Sequence, residues 1–166
     1  MAYLKLINES YRNTDAVENV VNYITDHSLY TGSATTSIYP DECIYQMYRI
    51  KALYGKLEGR QIRHFILSFD YQREYISWEE LIQLGTQVSA YYDHTYQLIW
   101  AVHESPNGNR HIHFVFNTVS YMDGRMYREG CVDAAQLASF ISGCLPDGTG
   151  PLKFGYDKSH DIDISL

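Results

Sequence analysis

Apolar and polar positions alternate weakly through AYLKLINE (residues 2–9), which predicts a first strand. In TDAVENVVNYITDH (14–27) apolar residues fall at 16, 17, 20, 21, 23 and 24, the spacing of an amphipathic helix capped by Thr14 or Asp15. Residues 28–40 are rich in Ser, Thr and Tyr and predict a loop. A second helix is expected from about Asp41 to Leu53, stopped near Gly55. RQIRHFILSFD (60–70) has the β-branched and aromatic content of a buried strand, and SWEE (77–80) is a capping box that opens a helix to about Tyr92. YQLIWAVHE (96–104) and RHIHFVFNTVS (110–120) read as strands joined through the polar turn SPNGN, an antiparallel hairpin. MDGRMY is a further turn, VDAAQLASFISGCL (132–145) a short helix ended by Pro146, and residues 146–166 are too irregular to predict an element. The sum is an α+β domain, a central antiparallel sheet flanked by helices.

The hairpin carries the first chemical signal. Strand side chains alternate faces, so His111, His113, Val115 and Asn117 share one face, and Ile112, Phe114 and Phe116 share the other, the core side. Before the turn, Leu98, Trp100 and Val102 form one face and Gln97, Ile99, Ala101 and His103 the other. His103 can therefore pair across the hairpin near His111. A lone His-x-His arises often by chance, but a third histidine one hairpin away favours a metal site with open positions over a histidine-rich turn. Neutral imidazoles suit Mn, Fe, Ni, Cu or Zn more than Mg, and ligand type alone does not name the ion.

Bulk properties limit the function. A chain of 166 residues is one domain by default, expected over 1–166, and 45% apolar with 20% charged residues and 4 prolines describes a folded chain. No stretch approaches the roughly 20 apolar residues of a membrane span, and the N-terminus lacks a signal peptide's apolar segment, so a cytoplasmic location is expected. Cys43, Cys131 and Cys144 suit reduced thiols. The net charge of −7 argues mildly against nucleic acid, because phosphate binding needs Lys and Arg. Between Met47 and His64, however, Arg49, Lys51, Lys56, Arg60 and Arg63 face the single acid Glu58, with Tyr48 and Tyr54 interleaved. That segment reads either as a solvated helix face with its loop or as a phosphate and base-stacking surface for single-stranded nucleic acid.

HIHFVFN, preceded by VHE with its histidine eight residues ahead of the pair, resembles the third motif of plasmid and transposon mobilisation relaxases, members of the HUH (histidine, hydrophobic, histidine) endonuclease superfamily. VVNYITDHS resembles the helix on which such relaxases carry their tyrosine, and RHFILSFD resembles their internal strand ahead of the histidine motif. The three matches run in the family's order over roughly residues 20–120. The chain departs from the pattern at Glu104 and Ser105, where relatives often carry an aspartate two residues after the first histidine.

The resemblance implies a metal-dependent enzyme that nicks one DNA strand at an origin of transfer. Tyr23 would be the nucleophile and His64 would help remove its proton. His103, His111 and His113 would hold the metal, with Mn or Mg in use and Zn, Ni or Co acceptable, and Asn117 would orient ligand or substrate. Arg49, Lys51, Lys56, Arg60, Arg63 and Arg110 are the candidate DNA contacts. Read without the resemblance, Tyr23 is a helix residue packing on the sheet beside Val20, Val21 and Ile24, and Tyr30 is its nearest rival. A rolling-circle initiator or single-strand transposase would instead use a tyrosine after the histidine pair, Tyr121 or Tyr127. A metal-binding β protein with a small-molecule substrate is the reading from a different class. His27, His94 and His160 are left as surface residues. Relaxase domains usually continue into a further domain, so 1–166 is also expected to be the N-terminal part of a longer protein. The acidic balance implies an added basic domain or an accessory DNA-binding protein.

Overall fold

Burial on both faces sets the centre of the sheet. Every residue of IRHFILSF is buried, as are seven of the eight in RHIHFVFN, so these two segments lie inside and must be covered on each side. The computed structural model describes residues 1–73 and 75–157; His160 lies outside the described residues. Elements run β1 (Ala2–Ile7), α1 (Ala16–Thr25), β2 (Tyr30–Ala34), α2 (Pro40–Leu53), β3 (Ile62–Phe69), α3 (Trp78–Ser89), β4 (Leu98–Glu104), β5 (Arg110–Asn117), α4 (Cys131–Cys144) and β6 (Lys153–Asp157). The sheet order is β2-β4-β5-β3-β1-β6, antiparallel throughout except for the pairing of β6 with β1. No helix among the described residues is long and apolar enough to cross a membrane.

Two apolar layers follow from the alternation. Phe65, Leu67, Phe69, Ile112, Phe114, Phe116, Leu98, Trp100 and Val102 pack under α3 and α4, which contribute Leu81, Leu84, Val88, Leu137 and Ile141. The opposite face carries Ile62, Ile99, Ala101 and Val115 beneath Val17, Val20, Val21 and Ile24 of α1 and Cys43 and Met47 of α2. The expected α+β fold is therefore observed as a sheet between two helical layers. The capping box is formed: Glu80 N–H donates to Ser77 Oγ and Ser77 N–H to the Glu80 carboxylate.

Two strands depart from expectation. Residues 30–34, expected as loop, form an edge strand on β4. Gly32 stands opposite Trp100, whose indole lies where a Cβ at Gly32 would sit, 2.2 Å away, and Gly85 of α3 closes the other side at 2.4 Å. The tryptophan thus occupies space that only two glycines leave open. The tail supplies β6, whose parallel pairing with β1 is a long-range contact no local pattern announces.

One polar group lies deep in the α1/α2 side. Lys51 is fully buried, and its ammonium donates to the Gln61 carbonyl (2.6 Å) and to Asn117 Oδ1 (2.7 Å). Asn117, also fully buried, donates through Nδ2 to Met47 O and Gln97 Oε1. This corrects one expectation: Lys51 has no surface to offer DNA. Asn117, four residues and therefore about 13 Å along the strand from His113, ties α2 to the sheet. Burial pushes the Lys51 pKa down to about 7. Between about pH 7 and the ordinary 10.5 the unfolded chain binds a proton there that the folded chain does not, so this group makes stability rise with pH across that window. Lys51→Met should flatten the rise, whose limiting slope is about 1.4 kcal/mol per pH unit for one proton. Urea melts of both proteins at several pH values test it, and parallel profiles would refute it.

Candidate metal centre and nucleophile

The β4–β5 register makes His103 and His111 direct partners, with His113 beside Ala101 and Ile66 in the next row on the same face. Their ring centroids lie 5.0 to 5.4 Å apart. One ligand nitrogen from each falls within 4.8 Å of the others, the grouping that could hold a metal among the described residues. His111 and His113 are buried, at 6% and 2% exposure. Burial, then the adjacent His103 ring, holds the His111 pKa down to about 3, so its lone pair is free of a proton at neutral pH.

Hydrogen bonds select the ligand atoms. The Ile24 carbonyl can only accept, so His103 donates to it through Nε2–H (2.6 Å), leaving the Nδ1 lone pair for a metal. His113 Nδ1 lies 3.0 Å from His64 Nε2, so Nε2 is the nitrogen His113 would offer a metal. Nδ1 of His111 is buried and has no hydrogen-bond partner, an orphan of the kind a bound cation would satisfy. A divalent ion fits this donor set.

His64 is fully buried, and its other nitrogen, Nδ1, lies 3.2 Å from the Tyr11 hydroxyl. Both ring nitrogens thus have a hydrogen-bonding neighbour, and His64 lies directly behind His113. Tyr11, in the loop between β1 and α1, was not foreseen; ESYRNTD carries only the composition of a turn.

Tyr23 stands on α1 among the buried Val20, Val21 and Ile24. It is 46% exposed, and its ring stands edge-on to His113 at 5.8 Å between centroids. An open cleft of about 480 Å³, lined by Asn22, Tyr23, Thr25, Asp26 and Pro40, adjoins it. The rival tyrosines point elsewhere. Tyr30 stands opposite Val102 and lies against Trp100, on the α3/α4 side. Tyr127 packs on Tyr92, Tyr96 and Phe116 of that same side, and the Tyr121 hydroxyl donates to the Asp93 carbonyl.

The expected basic surface is mostly internal scaffolding. Arg63, 2% exposed, holds Glu129 and the Ile7 carbonyl. Arg60 donates to the Glu9 carbonyl, Lys56 to the Gly124 carbonyl, and only Arg49 of the segment stands exposed, over the Tyr45 ring. Arg110 lies on the Trp78 ring and binds Glu104 at 2.9 Å, on the sheet face opposite the histidines. Lys51 and Arg63 are therefore corrected as DNA contacts, because both are buried on protein partners, and Arg110 is paired with Glu104 away from the cluster. The same pair explains Glu104, a strand-end partner for Arg110. His27 and His94 are exposed, as expected.

No curated protein matches the sequence. The family model of relaxases, MobA/VirD2-like, nuclease domain, matches residues 21–141, a span that opens two residues before Tyr23 and includes all three clustered histidines. With most of its length inside that match, the chain belongs to the relaxase family of MobA/VirD2-like nuclease domains.

Proposed function

We propose that the domain nicks one strand of DNA at an origin of transfer by attack of the Tyr23 oxygen on a phosphodiester, and rejoins strands during mobilisation. The observation that carries this reading is the half-exposed Tyr23 ring standing against His113 at the edge of a three-histidine cluster. His103 through Nδ1, His113 through Nε2, and His111 would hold a divalent ion, Mn or Mg in use. When bound, that ion supplies Lewis acidity to the phosphoryl oxygens and orients the phosphate. Tyr23 Oη attacks phosphorus as the bond to the 3′ oxygen breaks; the 3′ oxygen gains a proton, and the phenolic proton leaves through the exposed side of the ring to water. A phenol of pKa about 10 is a weak nucleophile at neutral pH, so its position beside a cation site matters more than its intrinsic reactivity. The product is a 5′-phosphotyrosine, whose bond energy resembles that of the diester it replaces, so the same groups run the step backwards. The cleft of about 480 Å³ beside Tyr23 has room for a nucleotide.

Labelled single-stranded oligonucleotides incubated with the protein and Mn²⁺ or Mg²⁺ should yield a covalent adduct whose peptide map contains Tyr23. An adduct on the peptide of Tyr121 or Tyr127 would transfer the assignment to the initiator or transposase mechanism. Because most cations of the basic segment hold protein partners, binding to single-stranded DNA at physiological salt should be micromolar or weaker without an accessory protein or basic domain. A salt titration showing nanomolar binding by this domain alone would refute that.

A further inference from the structure

The face of the sheet opposite the histidines carries a cleft of about 460 Å³ lined by aromatic rings. Tyr91, Tyr92, His94 and Tyr96, from the turn between α3 and β4, form it together with Phe140 of α4. Tyr92 belongs to the core, whereas Tyr91, Tyr96 and Phe140 pack on it only partly buried, so each keeps some of its surface in the opening. Tyr91 stands edge-on to Tyr92 at 4.8 Å and lies 4.9 Å from Phe140 between centroids.

Charge on this face has one sign. No Lys or Arg occurs between Arg73 and Arg110, or between Arg128 and Lys153, the stretches that supply α3, the turn and α4. The two helices and the turn carry Glu79, Glu80, Asp93 and Asp133 instead. Carboxylates reach the rings: burial, then Asp133, raises the Tyr91 pKa, and burial, then Asp123 and Asp133, raises that of Tyr96. Asp133 is fixed by the Gly130 N–H at 2.7 Å, while Asp123 shares its charge with the exposed Arg125 at 3.5 Å. Aromatic faces attract bases and cations alike, and the surrounding charge decides between them. A nucleic acid strand needs Lys or Arg for its phosphates, and this face offers carboxylates. A guanidinium stacked on a tyrosine gains from the negative face of the ring and from the acids behind it, and its stem covers apolar surface.

We propose that the cleft of Tyr91, Tyr96 and Phe140 is a docking site for an arginine-bearing basic segment of a partner protein. Tyrosine and arginine are residue types on which interface energy concentrates. The site lies across the sheet from the helix of Tyr23, so a partner held there leaves the cleft beside that tyrosine open to DNA. It goes beyond strand nicking and rests on neither the metal nor the nucleophile assignment.

The probe is a fluorescein-labelled peptide with two arginines in a glycine-serine background, compared with the same peptide carrying glutamate for arginine and with a single-stranded oligonucleotide. In ¹H–¹⁵N spectra of the wild type, the arginine peptide should move the amides of residues 90–96, and the other two should leave them in place. By anisotropy, Tyr91→Ala should weaken the arginine peptide about fivefold, while Tyr91→Phe should bind as the wild type does. Asp133→Asn, which keeps an acceptor for the Gly130 N–H, should weaken it about threefold and flatten its salt dependence. Unmoved amides with the arginine peptide would overturn the proposal, as would equal movement with the glutamate peptide or the oligonucleotide; these spectra need no variant to fold. So would wild-type affinity in Tyr91→Ala. Amides that move when the protein alone is concentrated would give the cleft to a second copy of the chain and overturn it as well. Neither metal nor DNA cleavage enters these measurements, so failure here leaves strand nicking untouched, and a failed adduct test leaves this site standing.

Discussion

Tyr23→Phe is expected to abolish the covalent DNA adduct, a loss on the order of 10³-fold or more, while the protein stays folded and its metal affinity is unchanged. The size of the effect follows from the lack of a substitute. Tyr11 is engaged with His64 and held as a phenol by burial, Tyr30 and Tyr127 lie on the other side of the sheet, and Tyr121 is bonded to a main-chain carbonyl. Phenylalanine keeps the ring that stands against His113. At a half-exposed position, loss of the hydroxyl should change stability by no more than about 0.5 kcal/mol. Adduct formation on denaturing gels, with a urea melt of the same preparation, separates chemistry from folding. Full adduct yield from Tyr23→Phe would remove Tyr23 from the reaction.

His111→Leu should act in two directions at once. Its buried Nδ1 has no hydrogen-bond partner, and burial already holds the ring neutral, so the metal-free fold carries an unsatisfied polar atom. Leucine has a similar volume and no polar atom to leave unmet. The metal-free protein should therefore gain about 1 kcal/mol in a chelator-treated urea melt. The same change removes one of three proposed ligands, and Co²⁺ affinity should drop by at least about 100-fold, with nicking lost alongside. A variant that loses stability without metal and still binds Co²⁺ like the wild type would show that His111 belongs to the core and not to a metal site. A gain in stability at the cost of function is the mark expected of a residue kept for its site.

How far such features could be read beforehand depended on what each required. The histidine face was legible because period-two alternation is a property of the strand itself; the register that pairs His103 with His111 follows from the hairpin. Asn117 shows the limit of the same rule: the face was right, but its hydrogen bonds to α2 and Gln97 come from partners no strand pattern shows. Edge strand β2 was missed because Gly32 and its small polar neighbours look like loop, and the reason for the glycine, the Trp100 indole, is a partner about seventy residues away. Within the basic segment, the burial of Lys51 was partly visible. Cys43, Met47 and Lys51 lie four apart on α2, a buried helical stripe, so the lysine occupied a core position in the pattern while its charge suggested the surface. For Arg63 and Arg110 nothing local distinguished a cation facing solvent from one facing Glu129 or Glu104.

The hydrogen bond from His103 to the Ile24 carbonyl joins the histidine hairpin to the last turn of α1, one residue beyond the proposed nucleophile. A cation held by His103 Nδ1 would make the Nε2–H a stronger donor, and so would tighten the anchor of the helix that carries Tyr23. Linkage makes the effect mutual: whatever seats α1 more firmly also improves the cation's hold, and a helix that lifts away weakens it. Loading of the ion and readiness of the tyrosine are then two readings of one equilibrium.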